Sequence, residues 1–227
     1  MLRFAAFLAL LLVAVPAAAQ SLQARYEAFL EQTIWPNANR AGVSRANFDK
    51  AMGSKRLNTD IPGLVEPGSK EPPRRMRQAE FSAPAKYFNE RNLGYVTATG
   101  RSLARKHAGT LAAIEKAYGV PGRIVLAIWG RESGFGRVDI PHDAFQVLGT
   151  KAFMSTRPDL FRRELINALV IVQQGLASSR EMRSSWAGAL GQPQFLPSSY
   201  LQYAVDFDGN GHADIWNSVP DTLASIA

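Results

Sequence analysis

Residues 118–137 read YGVPGRIVLAIWGRESGFGR. Pro121 marks a helix start, because its missing N–H would find no partner in a first turn anyway. Ile124, Val125, Leu126, Ala127, Ile128 and Trp129 then run without polar interruption, which predicts a helix buried on most sides. Gly134 and Gly136 break it. The run delivers a single carboxyl group, Glu132. Val125, Ile128 and Glu132 are spaced i, i+3, i+7 and so share a face. An apolar setting disfavours the charged form of a carboxyl, and a carboxyl that keeps its proton can serve as a general acid. The plainer reading is a glutamate turned outward at a helix end, beside Arg131 or Arg137.

The 227 residues are 46% hydrophobic and 20% charged, an ordinary balance for one or two globular domains. Lys and Arg number 26 against 19 Asp and Glu, for a net charge of +7. No run of five basic residues occurs. The surplus suits an anionic polymer as partner and fits a solvated surface equally well. There is no cysteine. That excludes disulfides, Cys-based zinc sites, a thiol nucleophile and a lipid anchor on Cys.

Residues 1–19 read as a secretory signal peptide. Arg3 supplies the positive start, an apolar run follows from Phe4 to Val15, and Ala17, Ala18 and Ala19 supply the small residues of a cleavage site. The run is short for a membrane span, so export is expected, with residues 20–227 as the mature domain. Over 21–35, Leu22, Tyr26, Phe29, Leu30 and Ile34 recur at helical spacing, and Pro36 is expected to stop that helix. Ser44 reads as the N-cap of a helix that turns Phe48 and Met52 inward. Residues 58–84 carry Pro62, Pro67, Pro72, Pro73 and Pro84, and predict an irregular surface segment with Arg74, Arg75 and Arg77 as solvated charge. Helical spacing resumes over 88–107, 111–118, 145–154 and 159–174. His107 reads as a surface or capping residue. Asp139 and Asp143 are the nearest candidates for a second catalytic carboxylate. Strand signals are scarce, so the domain is expected to be mainly α.

Residues 184–203, SSWAGALGQPQFLPSSYLQY, form a second informative stretch. Gln192 and Gln194 offer amides able to bind sugar hydroxyls or an N-acetyl group. Trp186, Phe195 and Tyr200 could supply ring faces for a pyranose. The alternative is a helix–turn–helix crossing with small residues at the contact. Residues 206–221, DFDGNGHADIWNSVPD, open with D-x-D-x-N-G, the first six positions of an EF-hand loop. Asp206, Asp208 and Asn210 would offer side-chain oxygens and His212 its backbone carbonyl. Position 12 is Asn217 rather than Glu, and Asp221 could close the shell instead. The alternative is a metal-free loop of Asx turns.

Together the motifs at 118–137 and 184–217 resemble the membrane-bound lytic murein transglycosylase B family. Weaker similarity covers 41–48, 78–81 and 100–107. The resemblance implies a lysozyme-like fold acting on peptidoglycan glycan strands in the periplasm. It implies cleavage of the β-1,4 bond between N-acetylmuramic acid and N-acetylglucosamine without water, leaving 1,6-anhydromuramoyl ends. Glu132 matches the catalytic glutamate, first proton donor to the glycosidic oxygen and then base toward the muramic C6 hydroxyl. Ser185 and Gln194 match positions lining the sugar site. Asp206, Asp208, Asn210, His212 and Asp221 fall in a structural calcium loop. No cofactor for catalysis, no nucleic-acid partner and no stable membrane insertion after signal cleavage are expected. Family members usually extend beyond the position matching Ala227, so the domain is expected to be incomplete at its C-terminus. The competing readings are a non-catalytic peptidoglycan-binding protein and a truncated inactive homologue.

Overall fold

A computed structural model describes residues 21–69 and 90–227. The signal peptide at 1–19, Arg74, Arg75 and Arg77, and the motif at 78–81 lie outside the described residues. Leu22–Phe29 (α1) starts at Ser21, whose hydroxyl accepts the Ala24 amide. Pro36 does not stop this helix, contrary to expectation. Leu30–Ile34 opens into a π turn and Trp35–Arg40 (α2) carries on with Pro36 in its first turn. The Trp35 amide reaches back five residues to the Leu30 carbonyl. In an α turn the proline ring would meet the carbonyl four residues earlier, and the wider π turn gives it room. Asn37 Nδ2 adds a bond to the Thr33 carbonyl at 2.6 Å where the ladder loosens. Arg45–Met52 (α3) is capped by Ser44 as its sequence predicts: the hydroxyl accepts the Asn47 amide at 3.2 Å. Phe48 and Met52 are buried.

Glu90–Lys106 (α4), Ala108–Tyr118 (α5) and Gly122–Ser133 (α6) follow the helical spacing of the sequence, as do Ala144–Met154 (α7) and Pro158–Gln173 (α8). Between α6 and α7 the chain forms His142–Asp143 (β1), which pairs antiparallel with Arg183–Ser184 (β2), His142 opposite Ser184. The stretch at 184–203 is therefore not a helix–turn–helix. It leaves β2, folds on itself through bridges between Ser184 and Leu190 and between Leu190 and Phe195, and only then enters Pro197–Tyr203 (α9). Val219–Ile226 (α10) comes after the acidic loop.

The described residues build two hydrophobic bodies. The larger joins the α1–α3 region to α7, α8 and α9, with Tyr26, Phe48, Phe145, Leu148, Leu165 and Leu169 among its buried members. The smaller holds α6 against α5 and α10 through Leu111, Ile114, Val125, Leu126, Trp129, Phe135 and Leu223. Each fully buried aliphatic or aromatic side chain contributes roughly 1.5–3 kcal/mol. Where α7 crosses α1 the space is full. A Cβ on Gly149 would collide with the Tyr26 hydroxyl and lie 3.2 Å from Met52 Cε. Helix propensity alone predicts that Gly149→Ala stabilises by about 1 kcal/mol, whereas overpacking costs roughly 1–3 kcal/mol. The collision is with a buried ring, so packing should win. Urea denaturation should show Gly149→Ala less stable than the parent; a higher midpoint would mean that this contact yields freely.

Candidate active site

The α6 helix is two-faced. Gly122, Val125, Leu126, Trp129, Gly130 and Ser133 are buried, while Arg123, Ile124, Ala127, Ile128, Arg131 and Glu132 are exposed. The predicted burial on most sides is thus corrected. Ile124 and Ile128 are 46% and 40% exposed. They share the open face with Glu132, four and eight residues before it, while Val125 points into the core. Glu132 therefore stands in the last turn of the helix at the end of an apolar but open row.

The turn after Glu132 fixes the helix end. Gly134, Phe135 and Gly136 take φ values of 58°, 62° and 75°, three left-handed residues in succession. The Gly134 amide returns to the Gly130 carbonyl at 3.1 Å, the bond of an αL closure, and the Phe135 amide reaches the Trp129 carbonyl at 3.3 Å. A left-handed phenylalanine costs on the order of 1–3 kcal/mol. Its ring offsets that by burial: it lies edge-on to Trp129 with centroids 5.5 Å apart. It also fills the place beside Gly130 where a Cβ would come within 2.6 Å of Cζ. Ser133 Oγ accepts the Gly136 amide at 3.0 Å, and Arg137 Nη1 donates to the Tyr95 hydroxyl on α4. Sequence reasoning missed this plug. The available signal was Gly130, a glycine inside a helix that costs about 1 kcal/mol of propensity and so needs a packing reason.

The 184–196 segment supplies the other expected site residues. The Ser185 amide donates to the Ala189 carbonyl at 2.8 Å and its Oγ accepts the Ala189 amide at 3.3 Å, closing a tight loop. Gln194 is left-handed, with φ of 55°, and its Nε2 donates to the Gly191 carbonyl at 2.9 Å. Non-glycine residues held in this conformation concentrate at functional sites. Gln192 lies elsewhere: its Oε1 accepts the Trp129 indole N–H at 2.9 Å and its Nε2 donates to the Trp216 carbonyl at 2.8 Å. Both ends of its carboxamide are engaged with protein, against the reading of a sugar ligand. Tyr200 is likewise a core residue, its ring buried and its hydroxyl between the Leu176 and Ala213 carbonyls, each at 3.1 Å. Burial pushes the phenol up to about 12. Trp186 is half-buried and has the Lys151 ammonium 5.0 Å from its ring centroid. Burial lowers the basicity of that lysine, and Arg157 adds to the effect.

Asp143 is occupied structurally. It caps α7 by accepting the Gln146 amide at 3.0 Å and pairs with Lys55 at 2.6 Å. Asp139 is exposed in the loop after Gly136. His107 occupies the N-cap position of α5 and lies edge-on to Trp129 with centroids 6.5 Å apart. Burial, then the neighbouring Lys106, lowers its basicity.

In the acidic loop, ligand atoms of Asp206, Asp208 and Asp221 converge within 4.8 Å of one another. Two charges at that separation repel by roughly 3–4 kcal/mol at an effective dielectric constant of 20. Three hard oxygen donors so placed fit a cation such as calcium. The loop also holds itself. Asp206 accepts the Gly209, Asn210 and Gly211 amides at 2.8, 3.1 and 2.7 Å. The buried Asp221 accepts those of Phe207, Asp208 and Asp214 at 2.9, 3.2 and 3.0 Å. Asn210 Oδ1 caps the His212 amide at 3.0 Å, the His212 carbonyl accepts the Asp214 amide at 3.0 Å, and Asn217 pairs with Asp214. The carboxylates of three of the five expected ligands thus converge, and Asn210 and His212 make turn-forming bonds.

A mainly helical domain with a short antiparallel ribbon, presenting one glutamate at a helix end, defines a lysozyme-like class. The sequence profile of the transglycosylase SLT domain matches residues 25–227, and the chain belongs to that family. Over 111 residues it is 40% identical to membrane-bound lytic murein transglycosylase B of Escherichia coli K12, covering 48% of this chain and 30% of that protein. Its fold matches Pseudomonas aeruginosa SltB3 in complex with NAG-NAM-pentapeptide at a TM-score of 0.73 and 31% identity, over 92% of this chain and 52% of that one. It also matches the Escherichia coli lytic transglycosylase Slt35 in complex with calcium at a TM-score of 0.63 and 24% identity, over 90% of this chain and 61% of that one, a likeness of fold alone. The chain therefore spans about a third to three-fifths of these relatives' lengths. Among the described residues no helix is long and apolar enough to cross a membrane.

The loop geometry makes Asp221 the centre of the acidic segment. Asp221→Ala strands three backbone amides, each costing about 1–3 kcal/mol when buried without a partner. These bonds are part-buried and the substitution also relieves carboxylate repulsion, so a loss of about 1–3 kcal/mol is expected in chemical denaturation. A loss under about 1 kcal/mol would show that the loop closes without this side chain.

Proposed function

We propose that this chain is the catalytic part of an exported, periplasmic lytic transglycosylase of peptidoglycan. The observation that carries the reading is Glu132: one carboxyl group on the open face of a helix whose end is locked by Phe135 and Gly136. The family and the relatives' printed substrates support the same choice. A glycan strand laid along Ile124, Ile128 and Glu132 would cover the open apolar row with the apolar faces of its sugar rings. It would also strip water from the carboxyl, and desolvation favours the protonated acid.

The reaction balances without water. Protonated Glu132 gives its proton to the glycosidic oxygen, and the bond from that oxygen to C1 of the muramic sugar breaks. The sugar's own 2-acetamido oxygen bonds to C1 in between, as in substrate-assisted glycosidases. The Glu132 carboxylate then takes the proton of the C6 hydroxyl, O6 bonds to C1, and the acetamido oxygen leaves. The products are a free N-acetylglucosamine C4 hydroxyl and a 1,6-anhydromuramoyl end, with Glu132 protonated again. One acid suffices, which agrees with the structural employment of Asp143. Ser185 and Gln194 orient the acetamido group or sugar hydroxyls. Asp206, Asp208 and Asp221 would hold calcium as a structural ion, whose charge would relieve their mutual repulsion.

Digestion of purified murein sacculi with mass spectrometry of the released fragments tests the reaction. The parent should release anhydromuropeptides and Glu132→Gln none; reducing muramic ends would identify a hydrolase, and no products from either would leave a glycan-binding protein. For the loop, free calcium at about a hundred times its dissociation constant should stabilise the parent by about 2.7 kcal/mol. Asp208→Ala should remove that response. A thermal melt insensitive to calcium would refute the metal site.

A further inference from the structure

Gln192 links parts of the molecule that otherwise belong to different cores. Its backbone amide donates to the Ile215 carbonyl at 2.9 Å, and its side-chain Nε2 to the next carbonyl, Trp216, at 2.8 Å. Ile215 and Trp216 belong to the larger hydrophobic body. The other end of the carboxamide accepts from Trp129, which belongs to the smaller one. The contact is close on both sides of Glu132. Trp129 lies one turn before it on α6. Gly136 lies four residues after it, where a Cβ would come within 2.8 Å of Gln192 Cδ. Trp216 is itself held at three points: its indole donates to the Arg183 carbonyl at 2.9 Å, its amide to Asp214 Oδ1 at 2.9 Å, and its ring packs 5.6 Å from Tyr200. Asp214 in turn donates its amide to Asp221 at 3.0 Å. Hydrogen bonds therefore run unbroken from the acidic loop, through Asp214, Trp216 and Gln192, to the indole of the helix that carries Glu132.

We infer that Gln192 is a positioning residue for Glu132, a polar strut that fixes the end of α6 against the 206–221 loop, and not a ligand of the sugar. The inference rests on the proposed role of Glu132 but is read from separate atoms. A neutral amide suits the task because one end must accept and the other donate, and neither end brings a charge into the contact. An indole N–H at a buried position wants a partner, and Gln192 supplies it at one fixed height and rotation of the helix. A helix turns about 100° per residue, so a small slip here swings Glu132 away from its bond. A misplacement of about 1 Å can cost on the order of a hundredfold in rate.

The test uses Gln192→Met, which keeps the length and loses both bonds, and Gln192→Glu, which keeps the acceptor and loses the donor. The chain has four tryptophans, so indole N–H signals in a nitrogen-15 spectrum are readily assigned by single replacement. In Gln192→Met the Trp129 indole signal should move upfield and exchange faster, and backbone amides over 130–137 should lose protection. In Gln192→Glu the indole should stay near its parent position while 130–137 still exchange faster than in the parent. With sacculi, kcat should fall at least tenfold in Gln192→Met with KM within about twofold, and less in Gln192→Glu. An unchanged kcat with a raised KM would make Gln192 a sugar ligand and overturn the inference. So would an unaltered Trp129 signal and unaltered exchange in Gln192→Met or, should that variant not fold, exchange in Gln192→Glu equal to the parent's. If the parent shows no turnover, the reaction assignment fails alone, and the indole and exchange measurements still decide the strut.

Discussion

The structure around the site depends on one constraint: the α6 helix must end at a fixed residue. Three left-handed residues in a row are an unusual way to end a helix, and the middle one is not glycine. The strain at Phe135 is on the order of 1–3 kcal/mol, comparable with the roughly 1.5–3 kcal/mol that burying its ring returns. The sign of the balance therefore rests on Gly130, whose bare backbone gives the ring its seat. Ring and turn determine each other: without the seat the turn has no reason to persist, and without the turn the ring cannot reach back over Trp129. Glu132 lies between the seat and the ring in sequence, so its place is set by atoms that take no part in chemistry.

Much of this was legible in the residues. Ser44 as a cap, Phe48 and Met52 as its inward residues, and the helices on either side of Glu132 follow from period and capping chemistry alone. The features that escaped did so for identifiable reasons. Six apolar residues in a row contain no contrast between faces, so the exposure of Ile124 and Ile128 had no signature. Pro36 reads as a stop because its ring clashes with the carbonyl four residues earlier in a continuing α-helix, and the π turn before it, which no local residue pattern announces, gives the ring room. Strands of two residues are too short to show a period. Gln192 and Gln194 are two residues apart with the same side chain. One serves the scaffold and the other closes its own loop, a difference set by the groups that stand opposite them.

The acidic loop shows the same division between local and distant information. The spacing D-x-D-x-N-G dictates its turns, and each turn closes on a side-chain oxygen as that spacing implies. Asp221 is a different matter. It lies beyond the twelve-residue loop, in the first turn of α10, where Ser218 caps the helix. It can reach the Asp206 and Asp208 carboxylates because α10 folds back against α5 and α6 in the smaller core. The three carboxylates repel at this range, while the six backbone amides bonded to Asp206 and Asp221 supply partial positive charge. Amides lessen the repulsion and a divalent cation would reverse it. The loop is therefore shaped by its own backbone, with its carboxylates drawn together at one point.

An open apolar row beside a glutamate is costly for an isolated domain and useful for one that binds a sugar polymer. Water on Ile124 and Ile128 is released when an apolar ring face covers them, so binding gains from the same surface that is exposed in its absence. A sealed pocket would hold Glu132 dry at all times but would admit only a chain end. On the proposed reading, an open helix face would let a glycan strand lie across it, and the strand itself would supply the desolvation that favours a protonated Glu132. The locked helix end and the exposed row thus answer two separate demands. The first fixes where Glu132 stands, and the second would leave a bound strand room to reach it.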